Sequence, residues 1–304
     1  MNKEKLHKQV KILGTNVDST STASVLRFVR SRLEKWEKNP MKKNKFLIVT
    51  PNPEQVVTAQ NDPVFRSILN SADLSLPDGI GLIAADRFLK LPADTNFLIK
   101  PLLYLIQGLG VGFSAITDRV WLTKNLKPIR GRDVFLELIK VANKKRWKVF
   151  LLGDKSGSAL KAKEVLDKNY KGLSIFATLG PNLDTDANPV TSSDTKIEKS
   201  SLETINKVFP HILFVGFGAP KQEKWLYRHS SKINYGGAMV VGGTFDYISG
   251  KKKTPPSWIA DSGLEWLWRI LIGDQKIERV ASAFPKFPLI IFWQKLTGKA
   301  PNES

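Results

Sequence analysis

Short apolar runs recur along the chain, each closed by turn-forming residues and most followed by a stretch of helical periodicity. Residues 46–49 (Phe-Leu-Ile-Val) pass directly into Thr50-Pro51-Asn52-Pro53, and residues 74–76 end at Pro77-Asp78-Gly79. Residues 148–152 end at Gly153, residues 212–215 at Gly216-Phe217-Gly218-Ala219-Pro220, and residues 238–241 at Gly242-Gly243. Shorter or weaker strand patterns lie at 10–13 and 173–178. Near-continuous apolar runs of this length suit strands covered on both faces. Between them, amphipathic patterns predict helices at 21–35, 54–61, 64–71, 134–145, 158–169 and 221–229, with Pro53 suited to a first helical position. Strands alternating with helices predict an α/β fold: a Rossmann-like, mostly parallel, doubly wound sheet. Ligands of such sheets bind beyond the carboxyl ends of the strands, where the polar turns fall.

Three stretches depart from the alternation. Residues 180–201 are rich in Pro, Asn, Asp, Ser and Thr, which predicts mostly loop. Residues 101–117 carry no charge but are broken by Pro101, Gln107 and three glycines, which predicts a re-entrant or interfacial element, or a buried hairpin. From residue 259 the chain turns helical, aromatic and basic. The expected organisation is therefore an α/β core over 1–258, with an apolar insertion at about 91–127, and a helical C-terminal appendage over 259–304.

Composition narrows the chemistry only partly. The 304 residues are 42% hydrophobic and 25% charged, which fits a packed globular core. Cysteine is absent, which removes disulfides, thiolate metal sites and a cysteine nucleophile. Lys and Arg number 47 against 28 Asp and Glu, a formal charge of +19. That field favours nucleic acid, anionic lipid or phosphorylated substrates without choosing among them. The N-terminus lacks the apolar stretch of a secretory signal, and no uninterrupted apolar run reaches the ~20 residues of a membrane span. The segment Phe284-Pro-Lys-Phe-Pro-Leu-Ile-Ile-Phe-Trp-Gln-Lys295 is too short to cross a bilayer. Its lysine-flanked aromatics suit shallow insertion among anionic headgroups, the alternative being docking onto the chain's own core or a partner subunit.

The turns at the strand ends hold the candidate chemistry. Gly216 and Gly218 deliver the chain into a helix near Pro220, where free N–H groups and Lys221 can meet an anion, and Gln222 and Glu223 can bond a sugar. The same glycines can also merely permit the bend. Asp78, at a strand end beside Gly79, can accept the proton of an attacking hydroxyl, or can hold a turn. Thr50 and Asn52 can bind sugar hydroxyls, although Asn before Pro is also ordinary turn chemistry. Gly243 and Asp246 follow the 238–241 strand, and Lys251, Lys252 and Lys253 can hold a diphosphate or form a solvated face. Asp184-Thr185-Asp186 has the form of a metal-binding Asp-x-Asp but sits in a polar loop, and the three histidines lack metal-ligand spacing.

These segments, taken in order, resemble the WecG/TagA/CpsF family of glycosyltransferases. The resemblance rests on Thr50-Pro-Asn-Pro-Glu54, Ala72-Asp-Leu-Ser-Leu-Pro-Asp-Gly-Ile-Gly81, Arg130-Gly-Arg-Asp133, Phe150-Leu-Leu-Gly153, Val215-Gly-Phe-Gly-Ala-Pro-Lys-Gln-Glu223, Gly242-Gly-Thr-Phe-Asp246 and Gly263-Leu-Glu-Trp-Leu-Trp-Arg269. It implies an inverting, metal-independent transfer from a UDP-sugar to an undecaprenyl-diphosphate-linked sugar, with no cofactor. By the same match Asp78 becomes the general base, with Thr50, Asn52 and Gln222 around the reacting sugars. Gly79, Arg130, Asp133, Gly216, Gly218, Lys221, Glu223, Gly243, Asp246 and Lys253 complete the substrate-binding set. Arg269 matches a family motif, and Arg279 falls in the basic helix that follows it. The implied partners are the donor, the polyprenyl-linked acceptor and an anionic membrane surface, not nucleic acid; a homo-oligomer is left open. The implied location is cytoplasmic, on the inner face of the cell membrane.

The chain departs from the family pattern in two places. Gly250-Lys-Lys-Lys-Thr-Pro-Pro256 puts Thr254 where the family carries an arginine, and lysine does not reproduce a bidentate guanidinium contact. The apolar insertion is the second departure, either a membrane-dipping lid or a packing elaboration. Competing readings are a dehydrogenase, against which Lys221 stands where a third glycine is needed, and a non-enzymatic binder of RNA or acidic lipid. A family member with altered catalysis is a further alternative, raised by Thr254.

Overall fold

The structure, a computed structural model, describes residues 8–40, 45–93, 98–256, 259, 268, 270, 272–273 and 281–298. The chain opens with an antiparallel hairpin of β1 (Lys8–Ile12) and β2 (Thr15–Ser19). Leu13 and Gly14 both take positive φ, as a two-residue hairpin turn requires. Helix α1 (Thr22–Lys38) follows, capped by the Ser21 hydroxyl on the Ser24 N–H. Next come β3 (Phe46–Val49), α2 (Pro53–Asn61), α3 (Pro63–Ser71), β4 (Leu74–Ser75) and α4 (Ile80–Leu89). Two helices, α5 (Lys100–Thr117) and α6 (Arg119–Leu122), separate this part from α7 (Gly131–Lys145). The remainder alternates through β5 (Lys148–Gly153), α8 (Ser158–Asn169), β6 (Ser174–Thr178), α9 (Ser192–Val208), β7 (Ile212–Gly216), α10 (Lys221–His229), β8 (Gly237–Val240) and α11 (Thr244–Ile248). A turn at Ser282–Lys286 leads into α12 (Phe287–Thr297).

Six strands form one parallel sheet in the order β4-β3-β8-β7-β5-β6, which bears out the Rossmann-like expectation. Successive strand residues point to opposite faces, and both faces are covered. On one side Ile48, Val149, Leu151, Phe214 and Met239 pack with α1, α7 and α8. On the other, Val49, Phe150, Leu152, Val215 and Val240 pack with Trp225 and Leu226 of α10 and Ile205 of α9. This is why the strands read as continuous apolar runs rather than alternating ones. A third cluster lies beside the sheet, where the hairpin and α2 meet a layer of α4, α5, α6 and α12.

Two of the three irregular stretches depart in part from their sequence expectation. The polar stretch 180–201 is loop only to Thr191, and α9 begins at Ser192. Its Ser, Thr and Asp residues build a capping box: Thr191 accepts from the Asp194 N–H, and Asp194 accepts from the Thr191 N–H. Residues 101–117 form neither a hairpin nor a re-entrant loop. They are one continuous helix, because Pro101 sits in its first turn and its glycines are helical. The 284–295 segment docks on the chain's own core through one side only. Phe287 and Ile291 are buried on the chain's own core, while Leu289 and Trp293 face outward. Among the described residues no helix is long and apolar enough to cross a membrane.

Candidate active site

All six strands of the main sheet are parallel, so their carboxyl ends share one edge, and the polar turns singled out in the sequence gather there. Strands β3 and β4 run in register, Ile48 opposite Leu74 and Val49 opposite Ser75. Their exits therefore sit side by side. The Asp78 N–H donates to the Pro51 carbonyl at 2.9 Å, and the Ile129 N–H donates to the Pro77 carbonyl at 2.8 Å. Asp78 is thus held by main chain from two neighbouring segments and remains half-buried rather than sealed. Gly79 follows with φ +93°, a backbone state that L side chains resist, and begins α4. Thr50 is buried against Gly131, where an added Cβ would lie 3.1 Å from its methyl group. Asn52 caps α2, its Oδ1 accepting from the Gln55 N–H at 2.9 Å. Its amide nitrogen is not used in that cap.

Arg130 and Asp133 open α7 and face each other at 3.6 Å. Arg132, between them, lies over the Tyr247 ring at 5.0 Å and so links α7 to α11.

On the other half of the edge, β7 ends in Gly216, packed so closely that a Cβ would meet Phe245 at 2.8 Å and the Gly242 carbonyl at 2.9 Å. Gly218 has φ +79° in the turn before α10. Gln222 is buried, and its Oε1 accepts from the Gly242 N–H at 3.1 Å. Its Nε2 donates to Glu223 Oε1 at 2.9 Å. This chain of bonds ties the β7 and β8 exits together. Glu223 is fully buried, and burial pushes its carboxyl up to about 7. Its second oxygen has no hydrogen-bond partner among the described residues. Lys221 turns to the Leu183 carbonyl.

Gly243 precedes α11, and Asp246 follows on its first turn. The Asp246 carboxylate accepts from the Ser158 hydroxyl at 2.5 Å, with Lys251 at 3.8 Å and Lys252 at 4.0 Å. Lys253 and Thr254 are exposed. Ser158 opens α8 and is not among the candidates that the sequence singles out. The run Gly153-Asp-Lys-Ser-Gly-Ser158 had the strand–glycine–helix form used to find Gly216, so the signal was present. Lys155 of that turn pairs with the buried Asp194 at 2.7 Å. The Lys155 ammonium and the Thr191 hydroxyl hold that carboxyl well below the usual range.

The Asp184-Thr185-Asp186 segment is a structural turn. Asp184 accepts from the Asp186 and Asn188 N–H groups at 2.9 and 2.8 Å, and Asp186 pairs with Lys224 at 2.7 Å. Arg269 and Arg279 lie outside the described residues. Of the remaining candidates, the fold brings Asp78, Gly79, Thr50, Asn52, Arg130 and Asp133 to one half of the edge and the Gly216–Asp246 set to the other.

Comparison with known proteins follows the same line. A model of the glycosyl transferase WecG/TagA/CpsF family matches residues 10–99 and 110–301. A protein of Bacillus subtilis (strain 168) is 27% identical over 255 residues, covering 83% of this chain and 81% of its own length. One of Staphylococcus aureus (strain NCTC 8325 / PS 47) is 26% identical over 274 residues, covering 90% and 89%. Each bears the name N-acetylglucosaminyldiphosphoundecaprenol N-acetyl-beta-D-mannosaminyltransferase.

Proposed function

The chain belongs to the WecG/TagA/CpsF family of glycosyl transferases, and from that premise we propose that it moves an N-acetylmannosamine-type sugar from a UDP donor to a polyprenyl-diphosphate-linked N-acetylglucosamine. The observation that carries this reading is the edge itself. Half-buried Asp78 at the β4 exit is bonded through its main chain to the β3 exit that carries Thr50 and Asn52, in a sheet whose β5, β7 and β8 exits are glycine turns leading into helices.

The reaction is a single displacement. Asp78 takes the proton of the acceptor hydroxyl as its oxygen attacks the anomeric carbon; the bond from that carbon to the UDP oxygen breaks, and configuration inverts. Thr50 and Asn52 hold sugar hydroxyls. Gln222, buried and bonded to Gly242 and Glu223, acts by holding the β7 and β8 exits in place around the sugars. The leaving diphosphate needs positive charge. The N-termini of α8 and α10 with Lys251, Lys252 and Lys253 supply it in this reading, so the transfer runs without a metal ion. Arg269 and Arg279 would add to that charge. The enzyme works at the cytoplasmic face of the membrane, where a lipid-linked acceptor is found.

The test is UDP release from a panel of UDP-N-acetylhexosamines, with a short-chain lipid-diphosphate-N-acetylglucosamine acceptor and EDTA present. Acceptor-dependent turnover that collapses in Asp78→Asn is the expected result. Absence of UDP binding would sink the reading.

A further inference from the structure

Helix α5 carries its apolar residues on the outside. Leu102, Leu105, Ile106, Leu109, Phe113 and Ile116 are each at least half exposed, Leu109 at 67% and Phe113 at 68%. At 3.6 residues per turn these six fall within roughly a 100° arc, one continuous stripe. The opposite side is already used. Tyr104, Val111 and Ser114 are buried, and the helix packs on α4 and α12. Helix α12 extends the outward face with Leu289 and Trp293. The two helices are fixed to each other through Lys295, whose ammonium donates to Gln107 at 2.6 Å and to the Phe88 carbonyl closing α4 at 2.6 Å. An exposed apolar stripe of this length is unusual on a soluble monomer and marks a surface that something covers.

We propose that the outward face of α5 and α12 is the surface by which the enzyme lies in an anionic lipid bilayer. Charge selects the occupant. Helix α5 contains no acidic residue and begins with Lys100. Arg119, Lys124 and Lys127 follow its end, and Lys286 stands at the start of α12. Among the described residues nearby, Asp118 caps α6, and Asp86 is paired with Lys90 at 2.5 Å. An apolar stripe rimmed by cations is complementary to acyl chains beneath anionic headgroups. A second copy of a chain with charge +19 would bring the same cations against each other. The buried inner side keeps the helix lying along the interface rather than crossing it. Residues 100–109, which carry Leu102, Leu105, Ile106 and Leu109, fall between the two stretches matched by the family model. The proposal rests on the reading that the acceptor is lipid-linked, and gives the enzyme the means to meet it.

The experiment uses the full chain and vesicles of phosphatidylglycerol with phosphatidylcholine, against phosphatidylcholine alone. Binding to the anionic vesicles is expected, and Leu105→Glu with Leu109→Glu and Phe113→Glu should weaken it by roughly tenfold or more. The melting temperature of that variant and its turnover on the water-soluble acceptor should stay unchanged. Because the chain has no cysteine, Leu109→Cys can carry a single environment-sensitive fluorophore. Its emission should shift to the blue on anionic vesicles and be quenched by nitroxide lipids. Vesicle binding that ignores the triple substitution, or a label that stays in water, would overturn the proposal. So would a label that leaves water without lipid as the protein dimerises. Lipid results as expected with no turnover on any donor would support the docking face and count against the transferase reading alone.

Discussion

At the carboxyl edge of the sheet, Gly216 stands where no side chain fits; along α5, Gly110 and Gly112 stand where no neighbouring element is in the way. A Cβ on Gly216 would press into Phe245 and the Gly242 carbonyl, whereas one on Gly110 or Gly112 would meet no atom within 4 Å. The same contrast runs through the polar groups. At the edge, Gln222 and Glu223 are buried in a bonded chain that aligns two strand exits. In the helical layer, packing fixes one side of α5 and leaves the other to its surroundings. Precision of the kind that chemistry needs is found at the edge, and adaptability in the layer.

The sharpest way to separate the two regions is Asp78→Asn. Turnover should fall by about 10²–10⁴-fold while vesicle binding is unchanged. Equal loss of both would mean that the two regions are one functional unit. Glu223→Gln probes the edge through pH. The native carboxyl stays protonated to about 7, whereas the unfolded one ionises near the ordinary carboxylate value. Native stability is therefore lost as pH rises between those values, and the variant should recover about 2–3 kcal/mol at pH 8 with little change at pH 4. Thermal melts at both pH values check the sign. Gly216→Ala should destabilise by about 1–3 kcal/mol through overpacking, read from urea midpoints. Gly110→Ala or Gly112→Ala should do the reverse, stabilising by about 0.5–1 kcal/mol each. If all three alanines had the same sign, the contrast would fail.

Much of the edge was legible because buried parallel strands give the clearest sequence signal and their exits must turn sharply. Thr50, Asp78 and Gly216 were found that way. What misled were residues whose chemistry serves two ends. Thr191 and Asp194 belong to the vocabulary of loops, and only their spacing three apart marks a helix start. The apolar, glycine-bearing stretch 101–117 has a helical period, but its glycines and Pro101 argued for a break. They are tolerated because the helix gains a packed face on α4 and α12. Residue identity also could not say that Asn52 would spend its carbonyl oxygen on a cap, or that Ser158 would bond Asp246 across 88 residues of sequence.

The strand order has a consequence for how the protein comes into being on the ribosome. Strand β3 pairs only with β4 and β8, and β7 only with β5 and β8, so β8 is the keystone between two half-sheets. It is also the last strand of the main sheet to be synthesised. Until residue 240 has emerged, the half bearing Thr50 and Asp78 shares no ladder with the half bearing Ser158 and Gln222. Such long-range closure is slow. The nascent chain must carry an unpaired β3 edge for most of its synthesis, a period in which chaperone binding would protect it. The two halves of the edge then come together in one late step, when β8 slides in between them.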